Sequence, residues 1–158
     1  MSETNITTAK PNVQPLNDSL GFIINALART LRTEMELQLR ETGLSPTTWT
    51  VLMALGEEDG VRQTELSHRT FLDGATMTRA LDILEAKDFI HRQRDTVDRR
   101  VQNVTLTVKG RGVIPKFVRY GTAVDEKAMQ NLSIQERIDL EKRIRQIIKA
   151  MRNSQPEV

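Results

Sequence analysis

The chain has 158 residues, a length typical of one domain, which argues against several independent domains. Aromatic residues make up 4% and charged residues 28%, and the apolar residues are mostly aliphatic, which favours packed amphipathic helices over an all-β fold. The absence of cysteine excludes disulfides, thiolate-bound zinc and thiol redox sensing, and a net charge of +2 identifies no partner by itself.

Residues 1–15 are polar and hold two prolines without periodicity, so we predict a mobile N-terminal arm there. They lack the apolar core of a signal peptide, and no apolar run in the chain approaches the roughly 18 residues of a membrane span. We therefore expect a cytoplasmic protein. The remaining residues, 16–158, are predicted to form a single domain.

A long first helix is predicted after Asn17 and Asp18, either of which can cap it, and it continues to Gly43. Apolar residues recur at helical spacing at Leu20, Ile23, Ile24, Leu27, Leu31 and Met35. A helix of roughly 25 residues spans about 37 Å at ~1.5 Å per residue, which exceeds what a domain of this size needs to cover its core. The surplus length predicts a partner helix from another subunit.

A second helix is predicted to begin at Ser45, which can cap it, followed by Pro46 at the first helical position. Its inward-facing residues are expected to be Trp49, Leu52, Met53 and Leu55, and residues 57–60 end it. We interpret Trp49 as a core residue, with ligand stacking as the alternative.

Two short helices joined by a tight turn are predicted next, at residues 63–71 and from Asp73 onward. Leu66 anchors the first helix, and Asp73 caps the second, which places Met77, Leu81 and Leu84 on one face. Such a pair indicates helix-turn-helix geometry.

A β-hairpin is predicted from Ile90–Arg94 and residues 101–108, with a polar tip at 95–100. Two helices follow. Thr107 can cap the first, and Ser133 with Glu136 forms a capping box at the second. Their apolar positions include Val113, Ile114, Phe117, Val118, Val124 and Met129, then Leu140, Ile144, Ile147, Ile148 and Met151. The predicted fold class is mainly α (α+β): four helices, a hairpin and two helices.

The fourth helix is the candidate for reading DNA, because helix-turn-helix proteins place the second helix of the pair in the major groove. With Met77 and Leu81 turned inward, the residues left available are Ala75, Thr76, Thr78, Arg79 and Asp82. Arginine commonly binds guanine, threonine hydroxyls bond bases or phosphates, and a small alanine allows contact with a thymine methyl. A solvated polar face is the alternative. Thr64 and Ser67 of the third helix complete this group of candidate contacts.

The hairpin tip is the second candidate DNA contact. Arg94, Arg99 and Arg100 flank a turn that also holds Asp95 and Asp98, and a narrow minor groove attracts inserted arginine. The carboxylates can orient the arginines, which gives Asp98 a structural role; a merely solvated tip is the alternative. Positive charge is concentrated in this part of the chain, since residues 61–112 hold 10 Lys or Arg against 7 Asp or Glu.

The chain resembles the multiple-antibiotic-resistance regulator (MarR) family of winged-helix transcription factors. The motif is Asp95-x-x-Asp98-Arg99-Arg100 followed by Val104-x-Leu106-Thr107-x-x-Gly110, and residues 75–79 and 84–87 are similar to the family's recognition helix. The likeness covers about residues 17–152. The sequence departs from the family pattern at two places. Asp88 stands where the family commonly has glycine, although aspartate tolerates the left-handed backbone conformation. The start of the third helix, near Arg62 and Gln63, lacks the Thr or Ser that often caps it in the family.

The resemblance implies a homodimer formed by residues 16–43 and 111–152, with a DNA-binding lobe at 44–110. It also implies a pseudopalindromic operator whose half-site centres lie about 34 Å apart. Repression would be relieved by a small aromatic or phenolic ligand bound between the two parts. The candidate lining residues are Trp49, Met53, Phe117 and Tyr120, each of which also fits simple packing.

The sequence also leaves two functions other than a DNA-binding regulator to consider. The alternative is a winged-helix protein-interaction module that does not bind DNA. An enzyme is least supported, because His68 and His91 are the only histidines and the glycines form neither a Walker-type nor a dinucleotide-binding loop. No catalytic residue, metal site or cofactor is expected.

Overall fold

The structure, a computed structural model, describes residues 15–94 and 101–153. After a 3₁₀ turn at Leu16–Asp18, the elements are α1 (Leu20–Leu39), α2 (Pro46–Glu57), β1 (Val61–Arg62), α3 (Gln63–Thr70), α4 (Gly74–Ala86), β2 (Ile90–Arg94), β3 (Gln102–Leu106), α5 (Val108–Ala128) and α6 (Ile134–Asn153). This order confirms the predicted fold class. The predicted arm, apart from Pro15, and the hairpin tip at 95–100 lie outside the described residues.

The sheet has three antiparallel strands in the order β1-β3-β2. The predicted hairpin pairs Ile90 with Leu106 and Arg94 with Gln102, while the unpredicted β1 pairs Val61 with Val104. Strand β3 ends at Leu106, two residues earlier than predicted, because Thr107 leaves the ladder to cap α5. Its hydroxyl accepts the backbone N–H of Gly110 at 2.9 Å.

Four of the predicted helix starts are formed by their predicted caps, which are Ser45, Asp73, Thr107 and Ser133, and two of the four are reciprocal capping boxes. At α2 the Ser45 side chain accepts the Thr48 N–H at 3.2 Å while the Thr48 hydroxyl accepts the Ser45 N–H at 2.8 Å. At α6, Ser133 and Glu136 exchange the equivalent bonds, at 3.3 and 2.8 Å.

The prediction for the first helix is wrong at both ends. Ser19 is the N-cap of α1 because the 3₁₀ turn includes Asn17 and Asp18, and the helix ends at Leu39 rather than Gly43. Its 20 residues span about 30 Å.

The main core lies between α2, α3, α4 and the sheet. Its fully buried side chains include Val51, Leu52, Leu55, Leu66, Met77, Leu81, Leu84, Ile90 and Val104. It continues between α1, α2 and α5 through Leu39, Phe117 and Val124. Trp49 and Met53, expected to face inward, are half-buried at its edge.

Large apolar side chains remain exposed on α1 and α6. On α1 they are Leu20, Phe22, Ile23, Ile24, Leu27 and Leu37, and on α6 they are Ile134, Ile138, Leu140, Ile144, Ile147, Ile148 and Met151. We call these two groups the α1 stripe and the α6 stripe. Neither helix, nor any other in the described part of the chain, is long and apolar enough to cross a membrane.

Candidate functional site

The turn between α3 and α4 is fixed by its own residues. Phe71 ends α3 in the left-handed conformation, with φ 59°. The Asp73 carboxylate then accepts the Thr76 backbone N–H at 2.8 Å and the Thr76 hydroxyl at 2.7 Å. These bonds, the backbone one first, hold the pKa of Asp73 below its usual range. Thr76 is a predicted DNA contact, but its hydroxyl already donates a hydrogen bond to Asp73, the N-cap of α4.

A hydrogen bond joins the two helices across this turn. The Gln63 side-chain amide donates to the Thr78 hydroxyl at 3.1 Å, and that hydroxyl donates to the carbonyl of Gly74 at 2.8 Å. Thr78 is exposed, as the sequence predicts, yet its hydroxyl also joins α3 to α4. Gln63 was not identified from the sequence, because its partner lies 15 residues away on another helix.

The starts of α3, α4 and β3 line one cleft of about 440 Å³. Its residues are Arg62, Gln63, Thr64, Ser67, Gly74, Val101 and Gln102. Thr64 and Ser67, both predicted contacts, lie within it, and Ala75 and Arg79 are exposed on the adjoining turns of α4. Arg62 was not predicted as a contact, although it is an exposed cation beside the N-terminus of α3. Hydroxyls, an amide and a cation thus surround one concave surface.

The predicted wing residues are described only in part. Arg94 is exposed at the end of β2 and pairs with Gln102 across the hairpin. Asp98, Arg99 and Arg100 lie outside the described residues.

At the base of the hairpin, Asp88 has a φ of 60°, the left-handed conformation that the sequence predicts for this position. Its carbonyl accepts the Thr107 hydroxyl at 2.7 Å.

Arg92 of β2 ties the hairpin to α4. Its Nη1 lies 2.8 Å from Asp82, and its Nε and Nη2 donate to one oxygen of Glu85 at 2.9 and 2.5 Å. The Arg92 backbone N–H donates to the other Glu85 oxygen at 3.1 Å. These bonds lower the pKa of Glu85 and raise that of Arg92. Asp82, which the sequence places among the groups available to DNA, is thus paired with Arg92.

Trp49 forms the centre of a second candidate site. Its indole N–H donates to the carbonyl of Phe117 at 3.1 Å, and its ring lies on Gly121, where a Cβ would come within 2.9 Å of the ring. Trp49 and Gly121 line two open clefts. One, of about 440 Å³, lies between α1, α2 and α5, and the other, of about 320 Å³, lies between α2 and α5 and includes Met53.

The other two predicted ligand residues pack together. Phe117 is buried in the core, and Tyr120 meets it edge to face with ring centres 5.8 Å apart. Asp125, not identified from the sequence, lines both clefts. Burial and the nearby charge of Glu141 raise the pKa of this carboxyl.

Comparisons with known proteins agree with this geometry. Residues 44–101 match the model of the MarR family. The HTH-type transcriptional regulator TtmR of Methylorubrum extorquens (strain PA1) is 35% identical over 110 residues, 70% of this chain. The chain spans little more than half of TtmR, 56% of its length. A MarR transcriptional regulator from Methanosarcina mazei Go1 has 25% identity and a TM-score of 0.80, over 85% of this chain and 97% of that one.

This chain belongs to the MarR family. Members of this family are transcription regulators, not enzymes. A further MarR-like fold is that of BpsR from Bordetella bronchiseptica, with a TM-score of 0.79 and 20% identity over 85% of this chain and 96% of BpsR. The structure of BpsR concerns regulation of its DNA binding by 6-hydroxynicotinic acid. In MarR terms, α4 is the recognition helix and the β2–β3 hairpin is the wing.

Proposed function

We propose that this protein is a homodimeric, sequence-specific regulator that binds a pseudopalindromic operator in the cytoplasm and represses transcription from it. The observation that carries the proposal is the single surface formed by the starts of α3 and α4 and the adjoining wing strand. Ala75 and Arg79 are exposed there, beside the cleft that Thr64 and Ser67 line. This combination of hydroxyls, a small side chain and an arginine supplies both phosphate and base contacts.

The exposed stripes of α1 and α6 support the homodimer. Monomeric soluble proteins rarely leave long apolar stripes exposed on two helices, and pairing with a second copy removes both from water. Two recognition helices related by a two-fold axis read two half-sites about 34 Å apart, which is why we propose a pseudopalindromic operator.

The clefts beside Trp49 support control by a small aromatic or phenolic ligand. They lie where α1 and α5, the predicted dimerisation helices, meet α2 of the DNA-binding lobe. A ring inserted between Trp49 and α5 would change the packing that sets the distance between the two recognition helices. BpsR, whose DNA binding is regulated by an aromatic molecule, has the same fold.

Selection from fragmented genomic DNA with the purified full chain tests this function. We expect enrichment of an inverted repeat and binding that weakens steeply with salt, through counterion release. Arg79→Ala should reduce affinity for the selected repeat and relax base preference at one position in each half-site, at a cost of about 1–3 kcal/mol. Glu65→Ala, an exposed change on α3, is the matched control and should bind at least as well as the wild type.

The outcome also separates the alternative function. If the wild-type dimer enriches no repeat and shows no salt-dependent affinity for duplex DNA, the winged helix is a protein-interaction module. Relief of repression is tested by adding hydroxylated benzoates and nicotinates to the operator complex. Release of the protein from the operator supports ligand control of the repressor, provided that the same ligand concentrations do not unfold the protein, which is checked with the wild type and with Arg79→Ala.

A further inference from the structure

We propose that Arg92 is a positioning residue for DNA recognition: it holds the wing against the recognition helix and neutralises that helix's carboxylates without contacting DNA. The inference rests on the proposed DNA-binding function. It concerns a cation on a wing strand, two positions before the predicted DNA contact Arg94.

The guanidinium of Arg92 is already occupied by protein groups. All three of its nitrogens lie within 2.9 Å of carboxylate oxygens of Asp82 or Glu85. Only 18% of its side chain is exposed, against 56% for Asp82 and 37% for Glu85. A phosphate would have to compete with two carboxylates for the same donors, and charge-assisted hydrogen bonds are the strongest that an arginine makes.

Charge on the recognition helix explains why a cation is needed here. The charged side chains of α4 are Arg79, Asp82 and Glu85, which leave the helix with a net charge of −1. A helix that enters a groove between two rows of phosphates is repelled by such a charge. Arg92, which lies on β2, offsets this negative charge, so Arg79 can approach the DNA without a net repulsion between α4 and the phosphates.

The same contacts fix the geometry of the wing. Glu85 lies in the last turn of α4, and it holds both the side chain and the backbone N–H of Arg92. Alternate residues of a strand share a face, so Arg92 and Arg94 lie on the same side of β2. The angle between α4 and the strand that carries Arg94 is therefore set at Arg92.

The test compares Arg92→Gln, Arg92→Lys and Glu85→Gln in the full chain on the selected operator and on unrelated duplex DNA. We expect Arg92→Gln to lose about ten-fold or more in operator affinity, with a smaller loss on unrelated DNA. The slope of log K against log salt should stay near the wild-type value. A phosphate contact would instead lower the slope by about 0.9, and lysine would largely preserve it. We expect lysine to rescue poorly, because a single ammonium lacks the planar set of three nitrogens with which the guanidinium bridges Asp82 and Glu85.

Glu85→Gln keeps the proposal testable if Arg92→Gln fails to fold. It makes α4 less acidic, so an Arg92 that binds phosphate would bind operator more tightly with a steeper salt slope. Positioning predicts the reverse, a loss of operator affinity relative to unrelated DNA. A wild type that selects no operator overturns the proposed function and this inference together. A wild type that binds, with a folded Arg92→Gln that binds equally, overturns this inference alone.

Discussion

Gly110, in the first turn of α5, packs directly against the backbone of Phe89 at the base of the wing. A Cβ at position 110 would overlap the Phe89 carbonyl oxygen and lie 2.9 Å from its carbonyl carbon. That oxygen accepts the Thr107 N–H at 3.0 Å, so it cannot move without losing this backbone hydrogen bond next to the start of α5. This contact gives a physical reason for the glycine in the motif that ends at position 110.

Gly110→Ala should lower the free energy of unfolding by about 1–3 kcal/mol, the usual cost of overpacking a buried position. Gly112→Ala on the same helix is the matched control, because nothing lies within 4 Å of its would-be Cβ. Alanine there should stabilise the helix by roughly 0.5–1 kcal/mol. Urea unfolding followed by circular dichroism measures both. Equal effects of the two substitutions would mean that the contact with Phe89 does not explain the glycine.

Local signals made much of this fold predictable. Ser45 with Thr48 and Ser133 with Glu136 cap their helices through bonds that span three residues, which a sequence displays directly. Strand β1 was not predictable in the same way. It has only two residues, too few to show alternation, and it exists because Val61 pairs with Val104 on a distant strand.

The candidate site was predictable in its location but not in the state of its side chains. Helical spacing identifies Thr78 and Asp82 as outward-facing residues, and their partners Gln63 and Arg92 lie on other elements. Whether an outward group meets solvent or a protein partner depends on tertiary neighbours such as Arg92, which lies on another element. Asp125 was missed for the same reason, since its surroundings are created by helices that meet only in the fold.

The α6 stripe gives a prediction about assembly. We expect the wild type to have twice the 18.0 kDa chain mass in solution. Ile147→Glu places a charge within the stripe and should give monomers at micromolar concentration, because an unpaired buried carboxylate is costly. Gln146→Glu adds the same charge at the next residue, which lines a groove among the cations of α6, and should remain dimeric. Light scattering after size exclusion reports the mass. A dimeric Ile147→Glu protein would place the interface elsewhere.

The contact between Gly121 and Trp49 gives a prediction about the clefts. Gly121→Ala would put a methyl group 2.9 Å from the indole, so the ring must shift and the clefts must change shape. Trp49 is the chain's only tryptophan, so its fluorescence reports the shift directly. We expect a changed emission maximum and at least ten-fold weaker binding of any aromatic ligand that quenches the wild type. Gly112→Ala, on the same helix but in open space, should leave both unchanged.

Asp125 gives a prediction about pH. Burial, and secondarily the charge of Glu141, raise the pKa of Asp125 above its ordinary value near 3.8. The folded chain therefore binds this proton more tightly than the unfolded chain, and the resulting stability is present below pH 3.8 and lost as pH rises through the raised value. At neutral pH the ionised carboxylate opposes folding, but only weakly, because the Asp125 side chain is exposed and solvent screens its charge.

Asp125→Asn should therefore raise the melting temperature at pH 7, and its advantage over the wild type should shrink as the pH falls through the raised pKa of Asp125 and be gone below about 3.8. Glu141→Gln should act in the same direction but less strongly, since its charge is the smaller cause. Combining the two should give less than the sum of the separate effects, because they remove the same repulsion. Glu126→Gln, at the next residue of α5, is the control and should show no such pattern. An Asp125→Asn protein that melts lower than the wild type at pH 7 would mean that the carboxylate has a stabilising partner in the assembled protein.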